Sequence, residues 1–298
     1  MSVAMHEPAN VVRNKFNAHR AMVVCRAGLR QLLKAKDFWL PIVIMGGIFY
    51  VLMPILLLGS LKIIGSSPSV SRLSESINAL PAAARDAIPK TKPDGSAVSA
   101  AAQASYALAV YLFASLAVVV PVTVGNAIGS SAIVGERERG TGEFLAHSPA
   151  STAEIYLGKL LSSFIPAYVA TLGGFGCYSL VVNLLVGPQV GGWFFPTPTW
   201  WVLMVWVIPA FIALTLSVVL RVSGRVSSST AAHQISGIVS LPAILVSYML
   251  SSRGLGAGGG LGVTVVSGAV MWVCALLSLG RGMQKLARWR LLGVAIDA

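Results

Sequence analysis

The chain has 298 residues, 55% of them hydrophobic and only 11% charged, with a mean hydropathy of +0.77. A soluble domain carries roughly 25% charged residues, so this composition excludes an ordinary soluble domain and indicates an integral membrane protein. The net charge of +12 points to Lys and Arg gathered in cytoplasmic loops rather than to nucleic acid, because no basic stretch is interleaved with exposed aromatics.

In chain order, residues 1–37 form a cytoplasmic N-terminal segment. Met22, Cys25, Leu29, Leu32 and Leu33 fall on one helical face, with Arg26, Arg30 and Lys34 along an adjacent one. That pattern predicts an amphipathic helix lying in the membrane interface. The first apolar run, Phe38–Leu61, is too long for a signal-peptide core and reads as a retained span. An outside loop, 62–103, follows; it is rich in Ser, Ala and Pro, and Ser71–Ile88 could form a short amphipathic helix. Five more runs reach the ~20 residues that cross ~30 Å of hydrocarbon: Ala104–Ala132, Ile155–Val186, Trp200–Leu220, Ala231–Leu250 and Leu261–Leu279. The expected fold is therefore all-α and polytopic, with a six-span domain over 38–280 and a basic cytoplasmic tail, 281–298. Gly125 and Gly129 place two small residues four apart in the second span, which allows close helix packing. Trp193, Phe194, Phe195, Trp200 and Trp201 read as an aromatic belt at the outer headgroups. Pro121, Pro166, Pro209 and Pro242 interrupt spans two to five.

Sixteen Lys and Arg fall on the side of 1–37, 133–154, 221–230 and 280–298, counting Lys159, against six on the other. Both termini are thus expected in the cytoplasm. None of the ten acids lies well inside a span, which removes the buried carboxylate that ion-coupled transporters use. Polar groups on a translocation path reduce to Asn126, Asn183, Gln234 and scattered Ser and Thr. The three cysteines, Cys25, Cys177 and Cys274, have neither CxxC nor metal-ligand spacing. Gly254-Leu255-Gly256-Ala257-Gly258-Gly259 fits GxGxxG, but it joins two spans and reads as a turn. The Walker-A, HExxH and GxSxG patterns are absent. No catalytic, cofactor-binding or metal site is expected.

Against this background the segment 133–154 stands out. Val134–Glu143 reads VGERERGTGE, with five charges between Glu136 and Glu143. On a helix, Glu136 would pair with Arg139 and Arg139 with Glu143. Such a segment is either a solvated, self-paired helix or a docking surface whose charges fix the register of a partner.

Glu136-Arg137-Glu138-Arg139-Gly140-Thr141-x-Glu143-Phe144-Leu145-x-x-Ser148-Pro149-Ala150-Ser151, followed by Glu154-Ile155-x-x-Gly158-Lys159, resembles the loop between the second and third spans of type-2 ABC transporter permeases. Gly142, His147 and Ser148 depart from the commoner residues of that loop. The resemblance implies the membrane subunit of an ABC exporter in the cytoplasmic membrane of a bacterium. A separate ATPase, in two copies, would use ATP and Mg, and a second permease copy or homologue would complete the assembly. It also implies that the loop is a coupling helix, with Glu136, Arg137, Glu138, Arg139, Gly140, Thr141 and Glu143 as ATPase contacts. Uncharged spans point to a drug-like, amphipathic or lipid-like cargo. The alternatives are an ion-coupled secondary transporter and a non-transporting scaffold that recruits a cytoplasmic partner.

Overall fold

A computed structural model describes residues 16–34, 36–64, 77, 82–117, 119–224, 226, 228, 230–238, 241, 245 and 260–285. The described chain is helical almost throughout, and its one β-bridge joins Thr91 to Ala97. The helices are α1 (Ala18–Lys34), α2 (Lys36–Gly46), α3 (Met53–Ile64), α4 (Ala82–Asp86), α5 (Ala100–Ala107), α6 (Phe113–Leu116), α7 (Val119–Glu138), α8 (Gly142–Ala146), α9 (Thr152–Leu185), α10 (Gly187–Val190), α11 (Pro198–Val202), α12 (Ile208–Ser223) and α13 (Gly260–Lys285). Residues 230–238 are also helical. Three π-helical turns, Gly47–Leu52, Leu108–Leu112 and Leu203–Val207, join α2 to α3, α5 to α6 and α11 to α12.

Among the described residues, four helical stretches are long and apolar enough to cross a membrane: Ile42–Ile63, Thr152–Leu185, Pro198–Ser223 and Leu261–Gln284. They correspond to the first, third, fourth and sixth expected spans. The second expected span is built in pieces, an apolar Ala100–Leu112 followed by α6 and α7. Half of the fifth lies outside the described residues, as do most of Ser71–Ile88, Pro242, the glycine-rich turn 254–259 and the tail from 286 on.

The Pro198–Ser223 stretch is 72% buried in its most apolar window, against 22–33% for the other three, so α12 is the centre of the bundle. Small residues let its neighbours close in. A Cβ on Gly129 of α7 would come 2.6 Å from Leu216 and 3.3 Å from Val219, whereas one on Gly125 would meet Ile212 and Leu216 at an ordinary 3.8 Å. Gly129 is thus the tighter of the two at the α7–α12 contact, where a Cβ would displace the Leu216 side chain. Gly268 of α13 makes room for the Trp206 indole, and Gly174 of α9 for the Tyr50 ring.

At the end of the bundle away from 133–154, the aromatic residues divide. Trp193 and Trp201 are exposed, as expected of a belt, but Phe195 and Trp200 are core residues, at 4% and 1% exposure. They pack with Phe175 and Tyr178, and the Trp200 indole donates to Val110 O (2.9 Å). Asn183 spends its whole amide here. Its Nδ2 donates to Phe195 O (2.6 Å) and Ser179 O (2.9 Å), and its Oδ1 accepts from the amides of Phe194 and Phe195 (both 3.1 Å).

Candidate functional site

The charged motif folds as two short elements around a stop. α7 runs out through Glu138, and Gly140 then takes a left-handed φ of +70°, a conformation glycine adopts without a Cβ penalty. Thr141 N closes the end by donating to Glu136 O (2.9 Å). One turn, α8, follows from Gly142. A Ser148-Pro149-Ala150 link leads to α9, which begins with a capping box: Ser151 Oγ accepts from Glu154 N (3.2 Å), and Glu154 Oε2 accepts from Ser151 N (2.7 Å). The expected Glu136–Arg139 pair is present at 3.5 Å. The expected Arg139–Glu143 pair is not found among the described residues, because Gly140 turns Glu143 off that helix.

Glu136 is the hub of the site. It is 6% exposed, and its carboxylate takes close contacts from Lys159 Nζ on α9 and from the Thr141 hydroxyl. The Gln31 amide of α1, with its nitrogen toward Glu136, donates to Oε1 (3.1 Å) and accepts from Arg139 Nε (2.9 Å) and Nη2 (3.2 Å). Burial pushes the Glu136 carboxyl up. The Lys159 charge and hydrogen bond, the Thr141 hydroxyl and Arg139 outweigh that and hold it below its ordinary 4.5. An unpaired buried charge would be strongly unfavourable, so the pair fixes the end of α7 against α9.

The N-terminal helix is part of this unit. α1 buries Ala21, Cys25 and Gly28, a stripe at helical spacing, and leaves Arg26 and Arg30 exposed. It lies against α9 at glycine contacts on both sides: a Cβ on Gly28 would meet Ser162 at 2.7 Å, and one on Gly158 would meet Ala21 O and Val24 at 2.7 Å. At its start Asn17 N donates to Glu154 Oε1 (2.6 Å) and Arg20 Nη1 to Pro149 O (3.0 Å). Between α1, α8 and the Pro149 link lies a groove of about 540 Å³, walled by Val23, Val24, Ala27, Leu145 and Phe144, with Glu136 and Lys159 at its floor. Phe144 is 81% exposed at its rim.

The seven motif residues named from the sequence therefore occupy different positions. Glu138, Arg139, Gly140 and Glu143 are exposed, Glu136 is buried and Thr141 half-buried, while the side chain of Arg137 lies outside what the structure describes. Gln31, Lys159 and Phe144 belong to the same unit and had not been singled out as site residues. Lys159 sits in the Gly158-Lys159 end of the motif, which is a usable signal; nothing local marks Gln31. The path candidates are scattered. Asn126 is 8% exposed, with a buried Oδ1 that has no hydrogen-bond partner among the described residues. Gln234 is exposed beside His233, whose Nδ1 lies 2.8 Å from Ser130 Oγ, one turn along α7 from Asn126. Asn183 is at the far end.

No curated protein matches the chain. A family model does: the one described as ABC-2 family transporter protein matches residues 22–272, from within α1 to within α13, and includes the whole charged turn. With that match over most of its length, the chain belongs to the ABC-2 transporter family and is the membrane-spanning component of an ABC transporter.

Proposed function

We propose that the chain is the permease of an ATP-driven exporter, and that α8 with the turn before it is where a separate ATPase subunit docks. The observation that carries this is the charged turn itself. An oily chain presents a one-turn helix with Glu143 exposed and Phe144 81% exposed beside an apolar groove. An apolar or aromatic residue projecting from a polar rim is the arrangement of a binding hot spot. The exposed Glu138, Arg139 and Glu143 would set the partner's register, and Gly140 would shape the turn that presents them. Arg137 belongs to the same proposed contact set. Glu136 and Thr141 would act from beneath, by holding the turn in place. In this reading both termini and the turn face the cytoplasm of a bacterium, the chain makes six spans, and two copies (or one copy and a homologue) pair with two ATPases. The uncharged spans suit a drug-like, amphipathic or lipid-like cargo.

The test is co-purification with an ABC ATPase and measurement of their affinity. Phe144→Asp should weaken the complex roughly 30-fold, the loss of a 2 kcal/mol hot spot, and Glu138→Lys should weaken it or uncouple hydrolysis from transport. Wild-type affinity and coupling in both variants would refute docking at this turn.

A further inference from the structure

Each of the three π turns ends on an amide that donates five residues back instead of four, and in two of them the carbonyl this passes over is claimed by a tyrosine of α9. In the second expected span, Phe113 N donates to Leu108 O, five residues back. In an α-helix it would donate to Ala109 O. Ala109 O accepts instead from the Tyr178 hydroxyl, at 2.7 Å, in a site where Tyr178 is 2% exposed. In the fourth span the pattern repeats. Ile208 N donates to Leu203 O, and Met204 O, which would have been its α-helical acceptor, takes the Tyr168 hydroxyl at 3.2 Å. The first-span turn has the same shifted bond, Met53 N to Ile48 O. A carbonyl at membrane depth with no donor is costly, so each hydroxyl stabilises the shifted register. Removing it favours return of the amide to its α-helical acceptor. Single π turns of this kind inside α-helices are frequent at functional sites.

Both tyrosines stand on the helix that carries the charged turn. α9 starts at Thr152, directly after the Ser148–Ser151 link, and is tied to α7 by Lys159 and to α1 by Gly158. Tyr168 and Tyr178 follow on the same helix, both beyond Pro166, about 15 Å apart at 1.5 Å per residue. We infer that α9 is the rod connecting the charged turn to spans two and four, and that Tyr168 and Tyr178 are positioning residues which switch those spans between π and α register as the rod moves. This rests on the reading of the charged turn as the ATPase dock, and it adds the route and the two-state elements on which the motion acts.

The experiment is amide hydrogen exchange on the permease–ATPase complex in proteoliposomes, with and without ATP plus vanadate. It compares wild type with Tyr178→Phe and Tyr168→Phe, each of which removes one oxygen and keeps the ring. In wild type, exchange at 108–113 and at 203–208 should change on trapping. Tyr178→Phe should lose the change at 108–113 alone and Tyr168→Phe at 203–208 alone, with the ATPase still bound and trapped. If one variant does not fold, the other decides at its own turn. A trapped wild-type complex with unaltered exchange at both turns overturns the inference, as does a wild-type response in the phenylalanine variants. If wild type does not bind the ATPase at all, the docking reading fails and this inference fails with it. Binding and trapping without a response overturn this inference alone.

Discussion

Only 8% of the Lys159 side chain meets solvent, and Glu136 is equally enclosed. Burial works against the Lys159 charge, and the Glu136 carboxylate works for it. A pair of this kind is worth little against an apolar replacement, but removing one partner is costly. Lys159→Met should therefore destabilise the folded chain by about 3–5 kcal/mol, whereas adding Glu136→Leu to it should recover much of the loss. A thermal-unfolding double-mutant cycle measures this, and simple additivity of the two changes would show that the ion pair does not organise the site. Acid should reproduce part of the effect. Because Glu136 is held below its ordinary 4.5 in the folded state, its contribution is complete above the ordinary carboxylate range and is lost as pH falls through the depressed folded value. The stability gap between wild type and Glu136→Gln should thus be constant over about pH 6–8 and narrow in acid. A gap that narrows toward alkaline pH instead would assign the titration to another group.

The contact between α1 and α9 depends on residues with almost nothing to show in sequence. Gly158→Val places a Cβ 2.7 Å from a backbone oxygen, Ala21 O, which cannot swing aside as a side-chain tip does. Overpacking of about 1–3 kcal/mol is expected, and α1 should exchange its amides faster in the variant. Unchanged protection of α1 would mean that the helix does not depend on this contact. That 18–34 is a helix was legible, as were the four longest apolar helices and the charged turn, because periodicity, length and composition are local. The face α1 buries was not, since Ala21, Cys25 and Gly28 are buried while Met22 and Leu33 of the expected apolar face are exposed. The capping of α9 by Ser151 and Glu154 is local and equally readable. The rest depends on distant partners. Glu136 and Lys159 stand 23 positions apart, and Gln31 is more than a hundred positions from the carboxylate it supports. Phe195 and Trp200 have the composition of an interfacial belt, yet they fill the core because Asn183 folds the 194–195 backbone inward. The break after Arg139 was masked by counting charges at helical spacing across a glycine that ends the helix.

For the whole molecule, the decisive feature is where ionisable groups stop. Among the described residues the buried charged groups are Glu136, Glu154 and Lys159, all at the end of the bundle that carries the charged turn. Deeper in, the buried polar groups are neutral hydroxyls and amides such as Ser105, Asn126 and Thr171. A carrier driven by protons or sodium needs a group at membrane depth whose charge or coordination changes with the ion. A permease driven from outside needs only a rigid connection to its energy source. In the proposed reading that connection would be the Glu136–Lys159 pair, the capped start of α9 and the docked α1. In vesicles holding the permease and its ATPase, movement of a panel of amphipathic fluorescent probes should therefore require ATP. It should proceed with no ion gradient and be unaffected by a protonophore or a sodium ionophore. Movement driven by a gradient with the ATPase absent would reverse the assignment, and it would make Asn126, with its unpartnered buried oxygen, the first residue to test for coupling.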